Sequence, residues 1–146
     1  MSLKTSTGLR NALLDSGSLF TIFTAGFLKI YSGAVPTSAD AAATGTLLCT
    51  ISLASSGTGI DFNGAASGGV LSKSSGQSWT GVNVASGTAS YFRHVAVGDT
   101  AGASGTEPRM QGEIATAGAE LNFSSTTLTS GATQTIDYYS AALPTL

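Results

Sequence analysis

The sequence is poor in charge. Six Lys and Arg and eight Asp and Glu make up 10% of 146 residues, for a net charge of -2, where an ordinary domain carries about 25% charged residues. The six cations are scattered along the whole chain, so there is no basic stripe to follow a nucleic-acid backbone. Cys49 is the only cysteine, which excludes an intrachain disulfide and leaves the fold to burial and backbone hydrogen bonding. His94 is the only histidine, and one His with one Cys excludes a zinc site of the usual ligand spacing. No apolar run reaches the length of about 18 residues that a membrane-spanning helix needs. The opening Met1-Ser2-Leu3-Lys4 leads into a polar segment and lacks the charged-then-apolar order of a secretory signal. The expectation is a chain made in a cytoplasm that stays there or leaves inside something larger.

Small residues fill the space. Gly, Ala, Ser and Thr together account for 81 positions, more than half of the chain. Such composition is common in flexible segments, but disordered chains combine low hydrophobicity with high net charge. Here 42% of residues are hydrophobic and the mean hydropathy is +0.25, so a folded chain is expected. A chain this long buries roughly 68–70% of its unfolded surface, enough for one domain with its own core. A surface of Ser, Thr, Gly and Ala has little charge to keep neighbours apart, and it suits a protein held in an assembly at high local concentration.

Residues 5–16 read as a short helix. Leu9, Ala12 and Leu13 recur at i, i+3 and i+4 on one face, Thr7 is placed as N-cap and Gly17 as the glycine that ends the helix. Residues 19–23 fit either a further helical turn or the start of a strand. From Phe27 the pattern becomes strands separated by small-residue turns: 27–31, 46–53, 60–62, from 68 onward, 77–80, 88–97, 109–116, 120–123 and 132–139. In the longest, Ala89, Tyr91, Arg93, Val95 and Val97 alternate with Ser90, Phe92, His94 and Ala96. Both sets contain large side chains, so both faces of this strand are expected to be covered. Turn signals recur about every 8–12 residues, the rhythm of a sandwich or barrel rather than of a parallel α/β fold. The reading is an all-β, jelly-roll-like two-sheet antiparallel sandwich (residues 18–146) after a short N-terminal helix or arm (residues 1–17), with an immunoglobulin-like topology as the rival. The expected core comprises Ile30, Ile51, Leu53, Phe62, Trp79, Phe92, Val95, Ile114, Leu121 and Ile136.

Residues that could serve catalysis read better as plain packing. Cys49 and His94 form the only Cys/His pair, but Cys49 shares a strand face with Ile51 and Leu53 and reads as a small buried hydrophobe. His94 reads as packed or partner-facing. No Gly-x-Ser-x-Gly elbow is present. Glu107, Glu113, Glu120 and Asp137 are potential paired carboxylates, better explained as solvated strand faces. The glycine-rich stretches 64–69 and 98–105 match no phosphate loop. Trp79, Tyr91, Tyr138 and Tyr139 are open to three readings: core, protein interface or sugar-stacking platform. No enzyme activity, cofactor or metal is expected.

The order Tyr91-Phe92-Arg93, Pro108-Arg109-Met110-Gln111-Gly112-Glu113-Ile114, Gly118-Ala119-Glu120-Leu121-Asn122-Phe123, Thr127-Leu128, Gly131 and Thr135-Ile136 resembles small structural proteins encoded in the head-gene region of tailed bacteriophages. The earlier segments Leu13-Leu14-Asp15-Ser16-Gly17-Ser18-Leu19 and Leu28-Lys29-Ile30-Tyr31-Ser32-Gly33 fit the same type. Within that type the resemblance is to capsid decoration, or cement, proteins. It implies a jelly-roll-like fold, a place on the outer capsid surface of the virion, the major capsid protein as partner, and self-association as a homodimer or trimer. It implies no nucleic-acid or membrane partner and no catalytic residues. Two rivals are a tail or neck component and a carbohydrate-binding module displayed on a particle.

Contact residues are expected at the chain ends and on one strand face. Leu3, Lys4, Leu9 and Arg10 mark the N-terminal end, Leu143 and Leu146 the C-terminal one. Leucines at an end that frays into water gain nothing from burial; either they pack on a neighbour or both ends fold back on their own sandwich. Tyr91, Arg93 and Tyr139 complete the expected contact set.

Overall fold

The computed structural model describes residues 3–143. A two-residue strand, β1 (Lys4–Thr5), leads into α1 (Thr7–Asp15). The N-cap is Ser6, one residue before the expected Thr7: its extended backbone lets Oγ accept from the Leu9 N–H at 3.0 Å. Thr7 instead points its N–H and hydroxyl at the Asp40 carboxylate, both at 2.7 Å. Gly17 follows the C-cap residue Ser16, and its N–H returns to the Ala12 carbonyl. The ambiguous stretch that follows is a helical turn, α2 (Leu19–Ile22). A capping box decides it: Ser18 Oγ accepts from the Thr21 N–H and Thr21 Oγ1 from the Ser18 N–H.

The remaining strands are β2 (Phe27–Ser32), β3 (Leu47–Leu53), β4 (Val70–Ser72), β5 (Trp79–Val82), β6 (Gly87–Val95), β7 (Arg109–Ala115), β8 (Leu121–Asn122), β9 (Thr127–Leu128), β10 (Thr133–Ile136) and β11 (Ser140–Ala142). The protein is an all-β sandwich, as expected, with two unequal sheets. The larger runs β1-β7-β6-β2-β3-β5-β10, with β8 added to β7 and β9 to β6; the smaller is β11-β4. All pairings are antiparallel except the short parallel contact of β8 with β7.

β6 is covered on both sides, as its residue pattern requires: Tyr91, Phe92, Arg93, His94 and Val95 are all buried. One face turns Phe92 and His94 into the main core. There His94 lies among Phe23 (ring centroids 4.6 Å), Phe62 (5.1 Å), Tyr139 (5.4 Å) and Trp79 (6.1 Å). Trp79 is fully buried, and its indole N–H donates to Gln77 Oε1 at 3.0 Å, so its one polar atom is satisfied. Of the expected core residues, only Leu53 stays half-buried.

The other face of β6 is covered by residues 33–46, the connection between β2 and β3. This cover locks to the neighbouring connection 96–108 through Ala43 N–H to Ala101 O and Ser104 N–H to Asp40 O, both 2.8 Å. α1 closes against the same connection. A Cβ at Gly8 would come within 2.3 Å of the Thr106 backbone, so only glycine lets the helix sit this close. The arm, the cover loop and the β6–β7 connection thus meet at one end of the sheet.

Candidate functional site

Beneath the cover loop lies a polar layer built from β2, β6 and β7. Register places Arg93 beside Lys29 on one side and Gln111 on the other. Arg93 Nε donates to Gln111 Oε1 at 2.9 Å and Gln111 Nε2 to the Pro36 carbonyl at 2.8 Å. Arg109 Nε meets Asp99 at 2.5 Å; its other nitrogens reach the Ala39 carbonyl at 3.3 Å and the Glu107 carboxylate. Lys29 adds a longer ion pair to Asp99, 3.7 Å. Tyr91 stacks on Tyr31 (centroids 5.0 Å, planes 9° apart), donates its hydroxyl to the Thr44 carbonyl at 2.7 Å and accepts from the Thr44 N–H at 2.9 Å. Burial lowers the Arg93 guanidinium below its ordinary value, and burial together with Tyr91 raises the Tyr31 phenol.

This geometry corrects four of the expected contact residues. Tyr91 and Arg93 are 0% and 1% exposed, Leu9 is 0% and Tyr139 5%. Tyr91 and Arg93 hold the cover loop from below, Leu9 packs α1 onto the core, and Tyr139 directs its hydroxyl to His94 Nδ1 at 3.2 Å inside the aromatic cluster. Alternation along a strand identifies a covered face but not what covers it; here the cover is the chain's own loop. Leu146 lies outside the described residues.

The remaining expected residues are at the surface. Leu3 is half-buried against the core edge. Lys4 and Arg10 line one pocket with Thr5, Thr37, Ser38 and Ala39, about 310 Å³ in volume. Lys4 Nζ is steadied by the Thr37 carbonyl at 3.2 Å and Arg10 by Thr7 Oγ1 at 2.9 Å. Asp40 is close by; the hydrogen bonds from Thr7, aided by the Arg10 charge, hold its carboxyl below the ordinary range. Of the other cations, Arg93 and Arg109 are buried, Lys29 faces Asp99, and Lys73 donates to the Gln77 carbonyl at 2.6 Å with Nζ 5.7 Å from the Trp79 ring centre. Lys4 and Arg10, each holding one neutral oxygen, stand side by side at this pocket. Leu143, 67% exposed, lines a separate apolar groove with Leu19, Phe20, Leu71 and Ala141.

Sequence reading missed Thr37, Ser38 and Asp40. One signal was present: Asp40 is the sole charged residue between Lys29 and Asp61, and a lone carboxylate in so long an uncharged stretch marks a specific partner, here the first turn of α1.

Cys49 is fully buried and burial pushes its thiol up to about 11, which leaves little thiolate for nucleophilic work. His94 is closed in by aromatic rings, and burial pushes its imidazole down to about 3. Among the described residues no group of three His, Cys, Asp or Glu side chains is placed to hold a metal, and no helix is long and apolar enough to cross a membrane. The fold and this surface define an all-β sandwich with one cationic pocket beside its N-terminal arm. No family model, characterised protein or solved structure matches the chain.

Proposed function

We propose that this protein is a virion structural protein of the decoration, or cement, type. It binds the outside of an assembled major capsid protein shell, acts by association rather than catalysis, and works as a homodimer or trimer. It is made in the host cytoplasm and resides on the outer capsid surface. The observation that carries the reading is the disposition of charge: Arg93 and Arg109 are buried, Lys29 faces Asp99 and Lys73 is held by its own turn, while Lys4 and Arg10 stand together at one pocket on an otherwise weakly charged surface. The resemblance of the strand-and-turn sequence to phage head proteins supplies the partner.

The mechanism is linkage. A protein that binds only the assembled, expanded shell lowers the free energy of that shell by mass action. Repetition over a lattice of identical sites adds avidity even where each contact is modest. The pocket contributes a charge contact that a single exposed ion pair makes weak, about 0–1 kcal/mol, so many copies are what make it effective.

Co-sedimentation of the purified protein with expanded shells lacking it tests the reading. Saturable binding at many sites per shell, with a higher temperature of shell disruption, is the expected result. Lys4→Glu with Arg10→Glu weakens that binding while the melting temperature of the free protein holds. Absence of binding, or binding confined to a single vertex as for a tail or neck component, refutes the proposal.

A further inference from the structure

Of the four aromatic residues that the sequence offers for sugar stacking, the fold buries three: Trp79, Tyr91 and Tyr139 are 0%, 0% and 5% exposed. Tyr138 is the exception, at 80%, and among the described residues it is the only ring in the set of large hydrophobic side chains left exposed. The two tyrosines lie in the short connection between β10 and β11 and point opposite ways. Tyr139 turns inward to His94, while Asp137 and Tyr138 both face out.

Tyr138 stands on the lip of a groove of about 290 Å³ between β8 and the end of β10, lined by Asn122, Ser124, Gln134, Thr135 and Asp137 among others. That volume lies near the lower end of the range of about 300–1,000 Å³ for small-molecule sites. The polar groups in it differ in availability. The Asn122 amide is engaged by the Ala119 backbone, accepting at 3.1 Å and donating at 3.2 Å, and Ser125 caps Thr127 at 3.2 Å. Gln134 is held in register by the pairing of β10 with β5, and no described residue hydrogen-bonds its side chain or those of Thr135 and Asp137. The groove wall thus carries an amide, a hydroxyl and a carboxylate with no hydrogen-bonding partner among the described residues, next to an exposed ring.

We infer that this groove is a binding subsite for a neutral oligosaccharide. A pyranose presents one face of C–H groups, which carry partial positive charge and pack on the negative face of an aromatic ring. Its rim of hydroxyls both donates and accepts, matching an amide that does both and a carboxylate that accepts. Asp137 disfavours sugars that carry sialate, sulfate or phosphate groups. An apolar ligand fits poorly, since the lining is mostly polar: Leu121 and Ile136 are buried and Phe123 is half-buried. The inference is independent of the capsid role: the groove shares no residue with the Lys4–Arg10 pocket.

The test is titration calorimetry of the purified protein with cello-, malto- and chito-oligosaccharides at millimolar concentration, with sialyllactose as the anionic control. At least one neutral series is expected to bind, with sialyllactose binding more weakly. Tyr138→Ala is expected to weaken that binding about tenfold or more, Tyr138→Phe to retain it, and Gln134→Ala to reduce it. Tyr138 is exposed, so Tyr138→Ala should melt as the parent does, and the melting curve checks this. No binding of any neutral series, binding unchanged in Tyr138→Ala, or preference for sialyllactose would each overturn the inference.

Discussion

His94 makes stability depend on pH above the range in which carboxylates ordinarily protonate. It is fully enclosed by Phe23, Phe62, Trp79 and Tyr139, Nδ1 bonds the Tyr139 hydroxyl, and Nε2 has no partner among the described residues. A charged imidazole there would lose its hydration, which is why burial lowers its pKa from 6.5 to about 3. The unfolded chain takes up a proton below about pH 6.5, and the native protein does not until about pH 3. Stability is therefore full above pH 6.5 and falls as pH drops, by up to about 1.4 kcal/mol per unit. Because His94 is the only histidine and carboxylates protonate mainly below about pH 5, its effect is isolated between pH 7.5 and 5. Over that interval the loss amounts to about 2 kcal/mol, a fall of about 4–8 °C in Tm for a protein of this size. Urea or thermal unfolding at several pH values measures it, with His94→Gln as comparison: glutamine keeps a hydrogen-bonding partner for Tyr139 but does not titrate. A flat wild-type profile, or a parallel slope in His94→Gln, would refute the reasoning.

Other perturbations probe different parts of the structure. Ser6→Ala removes a buried hydroxyl that donates to the Glu107 carbonyl at 2.8 Å and accepts from the Leu9 and Arg109 N–H groups at 3.0 and 2.9 Å; an unfolding free energy lower by about 1–3 kcal/mol is expected. Trp79→Ala should cost about 3–5 kcal/mol in the same assay, and an unchanged melting temperature would place Trp79 outside the core. The Cys49 thiol should resist a thiol reagent at pH 8 in the native protein and react once urea unfolds it; fast native labelling would show that the strand opens.

The legible part of this fold was the part written in side-chain periodicity. Alternation of Phe92 and His94 with Tyr91 and Arg93 gave a strand covered on both faces, and the strand is so placed. The three shortest strands missing from the reading, β1, β9 and β11, contain two or three residues each, too few to carry a period. Their existence depends on the partner strand, not on local pattern. The site was less legible. Lys4 and Arg10 stand near each other in sequence, but the loop residues Thr37 and Ser38 that complete their pocket come from beyond β2. Tyr139 was misplaced because it turns into the aromatic core beside His94, and Tyr91 and Arg93 because an interior polar face and an exposed contact face have the same residue types. Only the closing of residues 33–46 over β6 separates the two.

That closing also bears on the poverty of surface charge. A fourteen-residue connection without strand or helix must satisfy its backbone groups by other means, and here side chains supply them. Gln111 bonds Pro36, Arg93 reaches Ser38, Arg109 reaches Ala39, and Tyr91 holds both polar groups of Thr44. Buried ions are costly to dehydrate, and a hydrophobic replacement of the whole set can be as stable. Removing one member is another matter, because it strands the others: Arg109→Ala would leave Asp99, 2% exposed, with the Ala101 N–H at 3.0 Å and the distant Lys29 as its only cation. An apolar underside could be packed by a loop in many arrangements, whereas these donors fit one set of carbonyls. The layer therefore fixes the loop, and the loop fixes Thr37 and Ser38 beside Lys4 and Arg10. Charges drawn into the interior position the few that remain outside.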